Sequence, residues 1–246
     1  MKTEKVTFPS GGLMLYGNLH LSAEGAPCII TLHGLESSKD SGKWPIIAHK
    51  LAMEGYACLR FNFRGCGEGW EKSQGSFYET SLTSRIEDYK AAIDFLEKSG
   101  KVDMGRLGVI GSSMGGMVAI AAQDPRIKVM AVMATPCEGI GLGKPHSSGN
   151  KILYYALPSG RRLNVEFYRD LARYNLLEAV KKAPPILIIH GSSDMLVPVE
   201  HAQRLYEAAL VPKRLEVIEG ADHTFSNPMH LMRAIGLILE WLRKHL

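Results

Sequence analysis

The stretch Val109-Ile110-Gly111-Ser112-Ser113-Met114-Gly115-Gly116 decides how this chain folds around its most informative residue. It predicts a strand over 106–110, an abrupt turn, and a helix from Met114. The turn has the pattern G-x-S-x-G, with Ser113 at its centre. Side chains larger than hydrogen at Gly111 and Gly115 would collide with neighbouring backbone in so sharp a turn. The hydroxyl of Ser113 is then held above the end of the sheet, beside a helix N-terminus, as a nucleophile requires. The alternative is an ordinary helix entry that Ser112 or Ser113 caps.

Size and composition indicate a globular domain. The chain has 246 residues, 46% hydrophobic and 22% charged, which is enough to bury one core, and we expect a single domain over 1–246. A net charge of +4 and a pI near 8.8 are too mild to favour a nucleic-acid partner. No apolar run resembles a signal peptide or is long enough to span a membrane. The four cysteines show no CxxC spacing, so we expect reduced thiols and a cytoplasmic protein.

Strand and helix patterns alternate along most of the chain, which predicts an α/β fold with a mostly parallel sheet and helices on both faces. The eight predicted strands cover 5–8, 13–21, 28–32, 56–63, 106–110, 129–133, 185–190 and 214–218. Ser10-Gly11-Gly12 predicts a hairpin turn between the first two strands. Residues 136–182 break the alternation, and we interpret them as a small lid-like insertion over the carboxyl ends of the strands.

One helix is predicted with particular clarity over 82–98. Its apolar residues recur at steps of three and four, so they form a single stripe along one side; they are Leu82, Ile86, Tyr89, Ile93 and Leu96. Asp88 falls on the other side of this helix, and we expect it at the surface or behind the functional site.

Three further motifs follow predicted strands: His33-Gly34, Asp194 in an Asp-x-x-Val-Pro segment, and Asp222-His223. With the Ser113 turn they occur in an order that resembles the α/β-hydrolase superfamily across essentially the whole chain. The loop over 63–69 also resembles the family's R-G-x-G-x-S segment, although its final serine is absent and the segment ends in Glu68-Gly69. The resemblance implies an α/β-hydrolase fold with an eight-stranded sheet.

The chemistry of these residues fits a serine hydrolase. A neutral imidazole can take the proton of a serine hydroxyl as the hydroxyl attacks, and a carboxylate can orient that imidazole. We therefore expect Ser113 as nucleophile, His223 as base and Asp194 as the orienting acid, with Glu138 as the main rival acid. The resemblance implies that the backbone N–H groups of Leu35 and Met114 form the oxyanion hole.

Other polar residues near these motifs receive structural interpretations. We expect Asp222 to bond local backbone, because it is adjacent to His223 in the chain. His33 is expected to shape its loop, and His190 to be a packed strand-end histidine. No spacing favours a metal site, and the glycine-rich loop after the fourth strand lacks the G-K-[ST] of a phosphate loop, so we expect neither metal nor nucleotide cofactor.

The insertion is rich in tyrosine. Tyr154, Tyr155, Tyr168 and Tyr174 either pack it onto the body or line an acyl or alcohol pocket, and the sequence leaves both open. Size and motif layout resemble small carboxylesterases of the cinnamoyl or feruloyl esterase type. That resemblance implies a small-molecule ester substrate with a short-chain or aromatic acyl group. A thioesterase, a small amide or peptide hydrolase, and a non-catalytic binding protein on the same scaffold are alternatives. The oligomeric state is open, a homodimer being one option.

Overall fold

The computed structural model describes residues 2–149 and 151–246, which form eleven strands and seven α-helices. The strands are β1 (Lys2–Ser10), β2 (Leu13–Leu21), β3 (Ala26–Leu32), β4 (Ala57–Phe61), β5 (Val102–Ser112), β6 (Ile127–Met133), β7 (Lys144–Ser148), β8 (Lys151–Ala156), β9 (Arg162–Asn164), β10 (Ile186–Gly191) and β11 (Lys213–Ile218). The helices are α1 (Trp44–Met53), α2 (Leu82–Ser99), α3 (Met114–Ala122), α4 (Glu166–Leu171), α5 (Leu176–Ala179), α6 (Glu200–Ala208) and α7 (Pro228–His245).

Eight strands form one sheet in the order β1-β2-β4-β3-β5-β6-β10-β11. β2 pairs antiparallel with β1 and with β4, and every other neighbouring pair is parallel. The eight-stranded, mostly parallel sheet is therefore confirmed, as is the antiparallel pairing around Ser10-Gly11-Gly12. The predicted strands differ from the observed ones only at their ends.

The strand order places two of the predicted motifs side by side. The chain passes from β3 to β4 on one side, whereas β5 pairs with β3 on the other side, with Leu32 opposite Gly111. The loops that follow β3 and β5 therefore leave the sheet next to each other. Such a switch in direction opens a crevice at the carboxyl ends of parallel strands, where ligands bind in this class of fold.

Helices cover both faces of the sheet, as the alternation predicts. Apolar residues of α1 and α7 pack on one face, and those of α2, α3 and α6 pack on the other. Pro45 at the start of α1 and Pro228 at the start of α7 fit positions where no backbone N–H donor is required. No helix within the described ranges is long and apolar enough to cross a membrane.

The insert, residues 136–182, contains structure that the sequence did not predict. β7, β8 and β9 form a separate antiparallel sheet, followed by the short helices α4 and α5. The helical prediction over 165–180 covers those two helices, but none of the three strands was predicted. All five residues of β7 are exposed, so the strand has no buried face to produce an alternating pattern.

Asp88 decides between the two positions that the sequence left open. It lies in α2 as predicted, but its side chain is fully buried rather than at the surface. Its carboxylate accepts hydrogen bonds from the Ser10 hydroxyl at 2.8 Å, from the Arg64 backbone N–H at 2.8 Å and from the Arg64 guanidinium at 2.7 and 2.9 Å. Asp88 therefore joins the end of β1, the loop after β4 and α2. Helical periodicity could not reveal this, because the partners come from distant parts of the chain.

Candidate active site

Ser113 lies between β5 and α3 with φ +54° and ψ −122°, and residues other than glycine rarely adopt these backbone angles. The neighbouring glycines make this turn sterically feasible. A Cβ atom on Gly111 would lie 2.5 Å from the Gly115 carbonyl oxygen, and one on Gly115 would lie 2.0 Å from the Leu32 carbonyl oxygen. The Ser113 N–H also donates to the Met133 carbonyl at 2.9 Å. The turn therefore has the close packing that its sequence predicts.

Asp194 and His223 form a hydrogen-bonded pair. Nδ1 of His223 lies 2.8 Å from Oδ2 of Asp194, whose side chain is fully buried while that of His223 is 18% exposed. The other carboxylate oxygen, Oδ1, accepts the backbone N–H groups of Leu196 at 2.9 Å and Val197 at 2.8 Å. Each half of the carboxylate thus has its own donors, which fixes the orientation of the group.

Burial of Asp194 opposes its ionisation, but the hydrogen bonds from His190, His223 and the Val197 N–H outweigh burial and hold the pKa of the carboxyl well below its ordinary value. The group is therefore a carboxylate at neutral pH. A carboxylate next to Nδ1 keeps the proton on that nitrogen and leaves Nε2 of His223 able to accept one.

His190 contributes to this pair, which the sequence did not indicate. It is fully buried at the end of β10, with Nε2 at 2.8 Å from the Val197 carbonyl oxygen and 3.3 Å from Oδ2 of Asp194. His190 is packed as expected but not fully satisfied, since Nδ1 of its ring has no hydrogen-bond partner within the described ranges; its Nε2–H also faces the carboxylate. The feature of the sequence that could have indicated this contact is the position of His190 at a strand end, four residues before Asp194.

Ser113 and His223 line one pocket of about 220 Å³ at the carboxyl edge of the sheet. The loop over 34–37, the start of α1, Leu142 of the insert and Leu196 complete its wall. No direct hydrogen bond between the Ser113 hydroxyl and His223 occurs in the described part of the chain. The two side chains thus share one cavity.

Two backbone N–H groups belong to residues close to Ser113, Leu35 in space and Met114 along the chain. Gly34 lies beside Ser113, since a Cβ atom on Gly34 would be 3.5 Å from the Ser113 Cβ. Leu35 follows Gly34 in that loop, and Met114 follows Ser113 at the first turn of α3. Within residues 2–149 and 151–246, neither the Leu35 N–H nor the Met114 N–H donates a hydrogen bond. Both N–H groups thus have no protein acceptor within the described ranges.

The loop that carries Leu35 is braced by His33. Its Nδ1 lies 2.8 Å from the Gly34 carbonyl oxygen, and its Nε2 accepts the Phe63 N–H at 3.2 Å, which assigns the proton to Nδ1. Burial, reinforced by the nearby guanidinium of Arg85, lowers the pKa of His33 to about 3. His33 is therefore a neutral, loop-shaping residue, in agreement with the sequence interpretation.

Arg85 braces the same loop and was not identified from the sequence. This residue of α2 is fully buried, and its guanidinium donates to the carbonyl oxygens of Gly34 at 3.2 Å and Leu35 at 3.0 Å and to the Thr80 hydroxyl at 3.0 Å. No carboxylate lies within ion-pairing distance of it in the described ranges. The bonds of this buried cation to main-chain carbonyls orient the peptide groups around the Leu35 N–H. An arginine in the first turn of an amphipathic helix gives no sequence signal of this role.

The rival acids lie elsewhere. Glu138 is exposed and forms a bidentate ion pair with Arg204 at 2.7 and 3.1 Å. Asp222 accepts the backbone N–H groups of Thr224 at 3.1 Å and Ser226 at 2.9 Å, the local turn that the sequence predicts. Asp194 is thus the only one of the three candidate acids that the structure places against the imidazole of His223.

One group of side chains has the composition of a metal site. Ligand atoms of Cys137, Glu138 and His201 lie within 4.8 Å of one another. However, Nδ1 of His201 accepts the Cys137 N–H at 3.2 Å, and Arg204 binds both oxygens of Glu138. Cys137 and His201 thus bond each other while Glu138 bonds Arg204, and a cation there would compete with Arg204.

The four tyrosines of the insert pack against protein and are not part of the wall of the Ser113 pocket. Tyr155 and Tyr168 stack edge to face at 4.6 Å, and the Tyr168 hydroxyl donates to the Leu142 carbonyl. The Tyr174 hydroxyl lies 2.6 Å from that of Thr83, and Tyr154 contacts the Arg162 guanidinium. The contribution of the insert to the pocket wall is Leu142, which Tyr168 holds in place.

The sheet order, the strand-end loops and the turn at Ser113 define an α/β-hydrolase fold, as the sequence resemblance predicts. Residues 46–246 match the prolyl oligopeptidase family, and the chain belongs to that family.

Similar proteins agree with this fold. The chain is 29% identical over 197 residues to the uncharacterized protein YfhR of Escherichia coli O157:H7, a match that covers 79% of this chain and 62% of that protein. It thus spans less than two thirds of the length of that relative. The esterase domain of a Rhodothermus marinus protein superposes with a TM-score of 0.79 at 27% identity, over 100% of this chain and 99% of that one. Est1E of Butyrivibrio proteoclasticus, solved with ferulic acid bound, superposes with a TM-score of 0.85 at 22% identity, over 97% and 99% of the two chains.

Proposed function

We propose that this chain is a serine hydrolase that cleaves carboxylic esters through an acyl-enzyme. The observation that carries the proposal is the buried Asp194 carboxylate hydrogen-bonded to His223, which shares one pocket with the strained Ser113. The unpaired N–H groups of Leu35 and Met114 beside that serine support it further.

In the proposed reaction the Ser113 hydroxyl oxygen attacks the ester carbonyl carbon while Nε2 of His223 takes the hydroxyl proton. The carbonyl oxygen becomes an oxyanion that the Leu35 and Met114 N–H groups bind. His223 gives its proton to the departing alcohol as the ester bond breaks, which leaves the acyl group on Ser113. Water attacks this acyl-enzyme with His223 again as base, and the acid and the free serine result. Asp194 stabilises the imidazolium in both steps.

We propose short-chain or aromatic acyl esters as substrates. A pocket of about 220 Å³ is smaller than the usual range for ligand sites, about 300–1,000 Å³, and therefore favours a small acyl group. Similarity to an esterase domain supports an ester as the substrate, and similarity to Est1E with its bound ferulic acid supports an ester with an aromatic acyl group. Contact between the substrate and Tyr154, Tyr155, Tyr168 or Tyr174 stays a prediction that would require the insert to move as a lid.

A peptide or amide hydrolase is the second candidate, because the family to which the chain belongs is named for an oligopeptidase. The same three side chains would cleave an amide, and a thioester likewise, so the substrate must separate these reactions. A cytoplasmic setting also stays a prediction, which the four free and buried cysteines support.

The test combines a fluorophosphonate label with a substrate panel of nitrophenyl esters of graded chain length, methyl ferulate, an acyl-CoA and an aminoacyl anilide. We expect labelling of the native protein at Ser113 and turnover of esters above the other substrates. Ser113→Ala should lose label and turnover while its thermal unfolding is unchanged. Ser193→Ala, an exposed turn serine, is the matched control and should keep both. A native protein that takes no label is better explained as a binding protein, and the proposal then fails.

A further inference from the structure

Lys43 brings a cationic side chain into the wall of the Ser113 pocket. It immediately precedes α1, and the same pocket is lined by Ser113, His223 and Thr224. The rings of Trp44 and Phe225 lie 5.7 Å from its ammonium nitrogen. Lys43 therefore belongs to the wall of the pocket that Ser113 and His223 also line, with two aromatic rings 5.7 Å from its ammonium nitrogen.

The ammonium group of Lys43 has unused hydrogen-bonding capacity. An ammonium carries three donors, and the one hydrogen bond described for this side chain is a long contact of 3.4 Å to the Thr224 carbonyl oxygen. Within the described ranges no carboxylate lies within 4.0 Å of it. Burial lowers its pKa to about 8, against the opposing fields of Asp222 and Asp194, so it is mainly protonated at neutral pH. Two donors of a partly desolvated cation thus lack a partner.

Lys39, four residues earlier, shows what a structural lysine looks like in this chain. It is almost fully buried, and its ammonium nitrogen contacts Asp40 at 2.6 Å and Glu71 at 2.5 Å. A buried ammonium costs free energy unless it is paired, and Lys39 is paired within the fold. Lys43 has no such partner, and its neighbourhood opens into the pocket.

Glu36 is the carboxylate residue that lines the pocket, and it does not pair with Lys43. Glu36 is exposed, and its side chain accepts a hydrogen bond from the Ser159 hydroxyl of the insert. It does not form an ion pair with Lys43. An anion that enters the pocket would therefore meet one unpaired cation, with Glu36 held by the insert.

We propose that Lys43 binds a carboxylate on the substrate, so that the preferred esters of this enzyme carry a second, anionic group near the ester bond. The inference rests on the proposed esterase function and names its substrate class. The carboxylate would accept the two unused donors of the ammonium group, and the aromatic rings around it would strengthen the pair by excluding water.

The experiment compares three esters. 4-Nitrophenyl butyrate is neutral, mono(4-nitrophenyl) succinate carries a carboxylate on the acyl side, and 3-carboxyphenyl butyrate carries one on the alcohol side. The readout is the ratio of kcat/KM for each anionic ester to that for the neutral ester. Differences in leaving group cancel when this ratio is compared between wild type and variant.

Lys43→Met keeps the length of the side chain and removes its charge. We expect the ratio to fall at least tenfold for one of the two anionic esters, whereas Lys43→Arg, which keeps a cation, should stay within threefold of wild type. Lys50→Met, on α1 outside the pocket, controls for the change in net charge and should leave the ratio unchanged. Ratios for both anionic esters that stay within twofold in Lys43→Met would overturn the inference.

A binding measurement separates this inference from the esterase proposal. In the Ser113→Ala background, calorimetry with benzoate requires no turnover, and Lys43→Met should weaken the Kd at least tenfold. Equal affinities, or no binding by the parent protein, count against the role of Lys43 whatever the enzyme assays give. Absence of both turnover and fluorophosphonate labelling counts against the esterase proposal alone.

Discussion

Replacing Asp194 with asparagine is a sharp test of the proposed catalytic residues. Oδ1 of Asp194 accepts two backbone N–H groups, at 2.9 Å and 2.8 Å, and Oδ2 faces the N–H groups of both His223 and His190. An asparagine has only one acceptor oxygen. If that oxygen takes the place of Oδ1, its NH₂ group faces Nδ1 of His223, which must then accept. The proton of the imidazole moves to Nε2, and His223 can no longer act as a base.

The alternative orientation of the amide preserves the base but is unfavourable. It turns the NH₂ group toward the N–H groups of Leu196 and Val197 and leaves one partly buried and one buried donor without acceptors, at about 1–3 kcal/mol each. The two lost hydrogen bonds together disfavour the catalytically competent orientation by roughly 2–6 kcal/mol. Each factor of ten in rate corresponds to about 1.4 kcal/mol. We therefore expect kcat to fall by roughly 30-fold to 2 × 10⁴-fold, an upper end close to the loss known for the wrong tautomer in a serine protease.

The assay is kcat for nitrophenyl butyrate, with thermal unfolding to confirm that the variant folds. Glu138→Gln is the matched control, because that carboxylate is exposed and paired with Arg204. It should keep kcat within threefold of wild type. A folded Asp194→Asn variant that retains more than a tenth of the wild-type kcat would refute the assignment, and a collapse confined to Glu138→Gln would move the acid to that residue.

Three further predictions concern the framework of the site. Gly115→Ala places a methyl group 2.0 Å from a main-chain oxygen and should lower the free energy of unfolding in urea by more than about 2 kcal/mol. The control is Gly236→Ala in α7, where the new methyl group meets no atom within 4 Å and should raise the free energy of unfolding by about 0.5–1 kcal/mol. Equal stabilities of the two variants would contradict the packing argument. His33 is buried with its pKa lowered to about 3, so the unfolded chain takes up its proton first as the pH falls below about 6.5. The free energy of unfolding that neutral His33 contributes is complete above that pH and is lost toward pH 3, and the loss at pH 4.5 is about 2–3 kcal/mol. Urea titrations at several pH values should show a smaller loss of unfolding free energy for His33→Asn than for wild type, and identical pH dependences would disprove the prediction. Arg85→Lys can bond fewer of the carbonyls that Arg85 holds and should lower kcat about tenfold with KM within threefold; a change in KM alone would show that Arg85 does not position the oxyanion loop.

The fold was predictable because its pattern is local. Strands of the mostly parallel sheet are buried on both faces and appear as short apolar runs, and helices appear as stripes of period 3.6. The motif G-x-S-x-G predicted the turn at Ser113 for a steric reason, and the 2.0 Å approach at Gly115 is that reason in the structure. The strands of the insert escaped prediction because their pairing leaves β7 exposed.

The candidate site was predictable in part. The order of Ser113, Asp194 and His223 along the chain, at strand ends, was enough to propose that they meet, and the structure places Asp194 against His223 and not Glu138. That choice between two carboxylates depends on a distance of a few ångströms across separate loops. No local pattern encodes such a distance.

By itself the sequence determined the alternation of strands and helices, the sharp turn at Ser113 and the glycines around it, because these depend on neighbours a few residues away. Only the tertiary structure decided that Asp88 and Arg85 are buried, that His190 touches the carboxylate of Asp194, and that Lys43 lines the pocket with no carboxylate partner among the described residues. The free energy of a buried charge depends on the groups that surround it in space, and these come from segments far apart in the chain.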